Sequence, residues 1–240
     1  MKRVLTLVTA IACLAVGSSL AHAQCGVLGA ECLVNGNLDL GTPGDGTMTG
    51  TNPPWTLTNS VVDAAIFQPG FADNTLPGNG ATEGLGIWYR AFRGGGTSGN
   101  PPVSADLAQT TLPVTASGMY RLTFDYLMET NFTAQSMMAT LSSSGGGSSS
   151  LNLLTGPRTN IGGGFNGVGN IPTLGSLFIN ANAGNTLTVS LAMVGGTDAG
   201  INPQSLVADR FSLRLVPEPG TMALVGLAML GVFGLRRRCR

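Results

Sequence analysis

Met119-Tyr120-Arg121-Leu122-Thr123-Phe124-Asp125-Tyr126-Leu127-Met128-Glu129 alternates along its length. Tyr120, Leu122, Phe124, Tyr126 and Met128 fall on one face, and Arg121, Thr123, Asp125 and Glu129 on the other. Successive strand side chains point to opposite faces, so a period of two marks a half-buried antiparallel strand. Residues 185–194 repeat the pattern, with Leu187, Val189, Leu191 and Met193 opposite Thr186, Thr188 and Ser190. In residues 206–215, Val207, Phe211, Leu213 and Leu215 read as inward, and Arg210, Ser212 and Arg214 as outward. Less regular candidates are 55–58, 61–67, 85–92, 105–112, 135–142 and 174–180. Runs 94–102, 142–150 and 162–169 are rich in Gly, Ser, Pro and Asn and read as connections. No long segment has a helical apolar period. The expectation is all-β: one sandwich of about 190 residues, enough for a single core.

Both ends read differently. Met1-Lys2-Arg3 is basic, residues 4–20 are mostly apolar, and Ala21-His22-Ala23 is a small-x-small site. That is a secretory signal peptide over 1–23, removed by signal peptidase. Gln24, not a small residue, precedes Cys25, which argues against lipid attachment there. At the other end, residues 221–235 carry no charge. As a transmembrane helix they rise roughly 22 Å, short of the ~30 Å hydrocarbon core. Arg236, Arg237 and Arg238 follow directly and can snorkel to close part of the gap. The positive-inside bias keeps these arginines cytoplasmic and places residues 24–216 outside.

The tail Pro217-Glu218-Pro219, then the apolar segment, then the arginine cluster, resembles the PEP-CTERM sorting signal of Gram-negative, matrix-forming bacteria. The resemblance implies handling by an exosortase, a membrane-embedded transpeptidase-like enzyme, with cleavage near the triplet. It also implies delivery to the cell surface or extracellular matrix, with transient or permanent anchoring through the C-terminus. An ordinary C-terminal membrane anchor is the alternative reading. The chain thus divides into a signal peptide (1–23), a β-sandwich ectodomain (24–216) and a sorting segment (217–240).

Residues 24–216 contain six arginines, no lysine, no histidine and eleven acids, a net charge of −5. Nucleic acid needs clustered positive charge to displace counterions, so it is not an expected partner. Without His or Lys there is no imidazole base, no Ser-His-Asp triad and no Schiff-base lysine. What remains is carboxylate chemistry, calcium binding or no chemistry. Asp125 and Glu129 lie roughly 13 Å apart along one strand, beyond the ~5–9.5 Å of paired glycosidase carboxylates. The chain is not expected to be an enzyme. Cys25 and Cys32 remain in the compartment where disulfides persist and are expected to pair, two free thiols being the alternative.

The ectodomain opens with Leu33-Val34-Asn35-Gly36-Asn37-Leu38-Asp39 and Pro54-Trp55-Thr56. It continues through Ala108-Gln109-Thr110 and residues 118–126, and closes with Ala208-Asp209-Arg210-Phe211-Ser212-Leu213. This order resembles the galactose-binding-like jelly rolls, including carbohydrate-binding modules. The resemblance implies a jelly-roll fold, a polysaccharide ligand, and a structural Ca²⁺ between first and last strands near Asp39, Asp209 and Asn37. No other cofactor is expected. The family's closing motif often has two adjacent acids, and Ala208 replaces the first. Alternation alone puts Asp209 on the apolar face, where it must be paired, hydrogen-bonded or metal-bound. Trp88, Arg90 and Phe92 share one strand face and form a candidate sugar platform, with a core role for Trp88 as the alternative. Two functions follow: a surface or matrix protein with a carbohydrate-binding-like module, or a structural matrix protein with no specific ligand.

Overall fold

The alternating runs become strands. In the computed structural model, residues 25–44, 50–69, 85–97, 99–159, 172–201 and 204–217 are described. Residues 1–23, expected as a signal peptide, the apolar segment 221–235 and Arg236, Arg237 and Arg238 lie outside them. Among the described residues ten strands run in order: β1 (Thr56–Asn59), β2 (Ala65–Pro69), β3 (Leu85–Arg90), β4 (Val103–Thr110), β5 (Gly118–Met128), β6 (Ser136–Ser143), β7 (Ser148–Asn152), β8 (Thr173–Ala181), β9 (Leu187–Gly196) and β10 (Ser205–Val216). They form two antiparallel five-stranded sheets, ordered β1-β4-β9-β6-β7 and β2-β3-β10-β5-β8. The fold is a jelly-roll type of β-sandwich, and among the described residues there is no α-helix.

The core lies between the sheets. Leu107, Met137, Leu141, Val189, Leu191 and Met193 from the first sheet meet Ile87, Tyr89, Tyr120, Leu122, Phe124 and Leu213 from the second. Each such side chain contributes about 1.5–3 kcal/mol by leaving water. Phe211 stacks on Phe124 with ring centres 5.5 Å apart, and Trp55 packs against Phe211 at 5.0 Å. Trp55 Nε1 donates to the Asn35 carbonyl at 2.8 Å, so the indole is both buried and satisfied. The Tyr89 hydroxyl crosses the core to the Leu191 carbonyl, and burial raises its pKa well above the ordinary value.

Three features differ from the sequence reading. Residues 142–150 are not only a connection, because Ser148–Asn152 is strand β7, paired with β6. It is an edge strand whose side chains are exposed or half-buried, so no apolar period marks it. Glu129 is buried rather than outward; one carboxylate oxygen accepts from the Ser205 N–H at 2.6 Å. Asp209 and Val207 do not share the inward face with Phe211. Leu206 and Ala208 face the core instead, and the register against β5 shifts between Asp209 and Ser212. Two residues, Arg210 and Phe211, there oppose the single Phe124, a β-bulge. Arg210 takes a left-handed φ of 54° to make it. Strict alternation fails at that point, and the parity of every later residue is reset.

The bulge also changes β10's neighbours. Ser205 to Ala208 pair with β3, but beyond the bulge that flank is taken by the N-terminal segment. Leu28 bridges Leu215, Glu31 bridges Arg214, and Cys32 N–H donates to the Leu213 carbonyl at 2.8 Å. Cys25 and Cys32 are joined by a disulfide, closing this segment into a small loop. A loop of that size stabilises by about 2–3 kcal/mol on the chain-entropy model. Glu31 fastens it. Its Oε1 accepts from Leu213 N–H (2.7 Å), Cys32 N–H (3.1 Å) and Leu33 N–H (3.2 Å). Its Oε2 accepts from Ser212 Oγ (2.6 Å) and Arg214 Nε (3.2 Å). Replacing Glu31 by Ala strips several donors of their acceptor and lowers stability by about 1–3 kcal/mol in chemical denaturation. An unchanged denaturation midpoint contradicts the clasp.

Burial raises the Glu129 pKa from its ordinary 4.5, partly offset by the Ser205 hydrogen bonds. The folded state therefore holds this proton at pH values where the unfolded chain has lost it. The stabilisation is fully present below 4.5 and is lost as pH rises through the raised value. Asp125 shifts in the same direction, chiefly by desolvation. Melting curves across that window test this: wild type loses stability relative to Glu129→Gln as pH rises from about 4 to 7.

Candidate functional site

The end of the sandwich where β10 begins gathers the sequence-predicted aromatics. Trp88 and Arg90 alternate onto the outer face of β3, and Arg90 pairs in register with Ser205. A 3-10 turn at Ala91–Arg93 then brings Phe92 back beside them. The Arg90 guanidinium lies 4.6 Å from the Trp88 ring centre and 5.0 Å from that of Phe92. The two rings stand 6.0 Å apart at 50°. The structure thus brings Trp88, Arg90 and Phe92 together, with the guanidinium set against both rings.

Two residues complete the cluster that sequence reasoning did not single out. Asp63, from the turn before β2, accepts from Arg90 Nη1 at 3.0 Å and also pairs with Arg93. Isolated acids and arginines in short turns carry no periodic signal, so neither was legible. The Arg90 and Asp63 side chains are each only 11% exposed, whereas Arg93 is 39% exposed. Burial lowers the Arg90 pKa. Two guanidiniums on one carboxylate leave a local charge of +1. The Nε groups of Arg90 and Arg93 are buried with no hydrogen-bond acceptor among the described residues. A ligand can reach Arg93 and the ring edges, while the ring faces turned toward Arg90 are filled by it.

The remaining candidates lie elsewhere. Asp39 is exposed, and its carboxylate accepts from Asn37 Nδ2. Asp209 is buried on the outer face of the second sheet and accepts from the Arg210 N–H at 2.6 Å. Among the described residues no three His, Cys, Asp or Glu side chains gather to hold a metal ion. Calcium wants six to eight oxygens, backbone carbonyls among them, so Asp39 and Asp209 would supply only part of such a set. Pro217 is the first residue past β10 and is exposed. Glu218 and Pro219 lie outside the described residues, as does the segment suggested as a membrane helix. Among the described residues no helix is long and apolar enough to cross a membrane.

One pair of carboxylates does face each other across strands: Asp125 and Asp209 are register partners. Cross-strand partners of this kind bring Cβ atoms about 5 Å apart. Asp125 is held by Arg210 at 2.7 Å, and Asp209 is only 3% exposed. The space beside them, lined also by Leu127, Pro172 and Val207, is about 10 Å³. That is room for about one water and not for a sugar ring.

The comparisons with known proteins fall on both parts of the chain. The galactotriose-bound module TmCBM61 superposes with a TM-score of 0.45 at 14% identity, over 77% of this chain and 98% of that one. A carbohydrate-binding module from Cellvibrio mixtus lichenase 5A, solved with cellotriose, gives 0.37 at 12% identity, over 66% and 92%. The enzymatically active domain of bacteriophage CBA120 tailspike protein 4 gives 0.46 at 13% identity, over 78% of this chain but only 21% of that one. No curated protein matches the chain. Residues 215–238 match the PEP-CTERM protein-sorting motif, so the match begins on the last two residues of β10.

Proposed function

We propose that this chain is an exported, exosortase-sorted protein of the cell surface or extracellular matrix, whose sandwich is a non-catalytic carbohydrate-binding module. The observation that carries the reading is the junction at β10. The sorting motif starts at residue 215 while Val216 still pairs with Met119, so the folded module ends where the address begins. The signal peptide 1–23, removed by signal peptidase, opens the route, and the apolar segment 221–235 holds the chain in the membrane until exosortase acts. Residues 24–216 are then the cargo.

The Trp88, Arg90 and Phe92 cluster lies at the opposite end of β10. Twelve residues at about 3.3 Å each set the two ends roughly 36 Å apart. A saccharide would meet this cluster from the side turned away from the membrane, with Arg93 donating to its hydroxyls. The absence of His and Lys from 24–216 and the cramped Asp125–Asp209 pair support a binding role without catalysis.

One observation favours the second reading, a structural matrix protein without a specific ligand. Arg90 covers one side of both rings and is pinned by Asp63, as a structural knot would be. A glycan array with the purified chain separates the two. The binding reading expects a defined sugar signal that falls about tenfold in Trp88→Ala and Arg93→Gln, one lost interaction of about 1.4 kcal/mol being a tenfold change. Arg93→Gln removes a half-exposed group, and Asp63 keeps its pairing with Arg90. Silence across the array favours the structural reading.

Mass spectrometry of the mature protein from its native membrane fraction tests the sorting part. The expected species begins at Gln24 and ends near the Pro217-Glu218-Pro219 triplet. A species that still ends at Arg240 contradicts processing.

A further inference from the structure

The outer face of the second sheet carries a second arrangement of ring and cation, on β8, β5 and β10. Phe178 stands out from β8 with 47% of its surface exposed, on the polar side of a strand whose Leu177 and Ile179 are buried. Its register partner on β5 is Arg121, whose guanidinium lies 5.6 Å from the ring centre. The next partner along the row, on β10, is Arg214. Two arginines therefore sit directly opposite each other across neighbouring strands.

Like charges in that relation repel and cost stability. Only one of the two is neutralised: Arg214 Nε bonds Glu31, whereas Arg121 pairs with no carboxylate among the described residues and donates only to Ser176 Oγ at 3.1 Å. Arg214's side chain remains 53% exposed. The adjacent cross-strand row is Ser176, Thr123 and Ser212, a line of hydroxyls beside the charged row. An exposed ring, a half-compensated cation pair and a bank of hydroxyls on one face complement one kind of occupant. The ring takes the C–H face of a sugar, the hydroxyls pair with its hydroxyls, and an anion between Arg121 and Arg214 relieves their repulsion.

We propose that this face is a second saccharide-binding surface, selective for a carboxylate-bearing polysaccharide that stacks on Phe178 with an acid group at Arg121 and Arg214. It uses none of the residues of the Trp88 cluster, so either surface can fail without the other.

Affinity electrophoresis of the full chain in detergent tests it, with polygalacturonate or neutral galactan cast in the gel. Polygalacturonate is expected to retard the protein and galactan is not. The retardation weakens with added salt and falls about tenfold in Arg121→Gln and in Phe178→Ala, as expected for one lost charge-assisted contact. Arg93→Gln leaves it unchanged. The melting temperature of Arg121→Gln stays level or rises, because the variant removes a repulsion; a purely structural arginine would lower it on replacement. Equal retardation of wild type and Arg121→Gln overturns the proposal, as does equal retardation by galactan or none by polygalacturonate. Preferential capture by mixed micelles containing phosphatidylglycerol also overturns it, and assigns the face to lipid phosphate instead.

Discussion

The bulge at Arg210 and Phe211 governs how the second sheet is built. Before it, Leu206 and Ala208 face the core; after it, Phe211 and Leu213 do. A straight strand would satisfy one pair and turn the other into solvent. Burying Phe211 and Leu213 is worth several kcal/mol together, against about 1–2 kcal/mol for one non-glycine residue in the left-handed region. Burial wins, and local bonds lessen the cost: Asp209 Oδ1 accepts from the Arg210 N–H, and Arg210 reaches Asp125 at 2.7 Å. The same irregularity ends the pairing with β3 and opens a flank that the disulfide-closed N-terminal segment fills. Phe211 meets both Trp55 and Phe124 in the core only because it arrives there with reset parity.

This explains which parts of the fold were legible. Strands β5 and β9 alternate without interruption, so their inward residues read directly from a period of two. Strand β10 was visible as a strand but misread in its first half, since a bulge leaves no mark in composition. Val207 and Asp209 looked inward for that reason alone. Strand β7 was invisible because an edge strand of serines has little apolar surface to bury, and backbone pairing with β6 holds it. Glu129 looked solvent-facing because it continues β5's polar parity, yet it lies past the strand's end and bonds Ser205.

Of the candidate sites, the pairing of Trp88 with Arg90 and Phe92 was legible as an i, i+2, i+4 spacing, although Phe92 comes from a turn rather than the strand. What the spacing could not carry was Asp63, whose carboxylate fixes the guanidinium against the rings and changes what the rings can offer. Phe178 had a signal that was passed over: an aromatic on the polar face of residues 174–180. Its meaning depends on Arg121 and Arg214 being register partners across β5 and β10, a relation between strands far apart in sequence.

The position of the sorting motif acts on all of this. Because it follows β10 with no linker, anything attached beyond Pro217 is attached to an inner strand of the sheet, bonded on both sides. Tension along the tail is borne in shear by the ladder to β5 and by the Glu31 clasp together, not by peeling an edge. The N-terminal segment shares the clasp, so both ends of the module meet at one pole and the Trp88 cluster lies at the other. The Arg121 and Arg214 row sits nearer the tail, two residues from the end of β10. The two ring-and-cation clusters therefore lie on different parts of the module, one at the pole opposite the tail and one along the flank beside it.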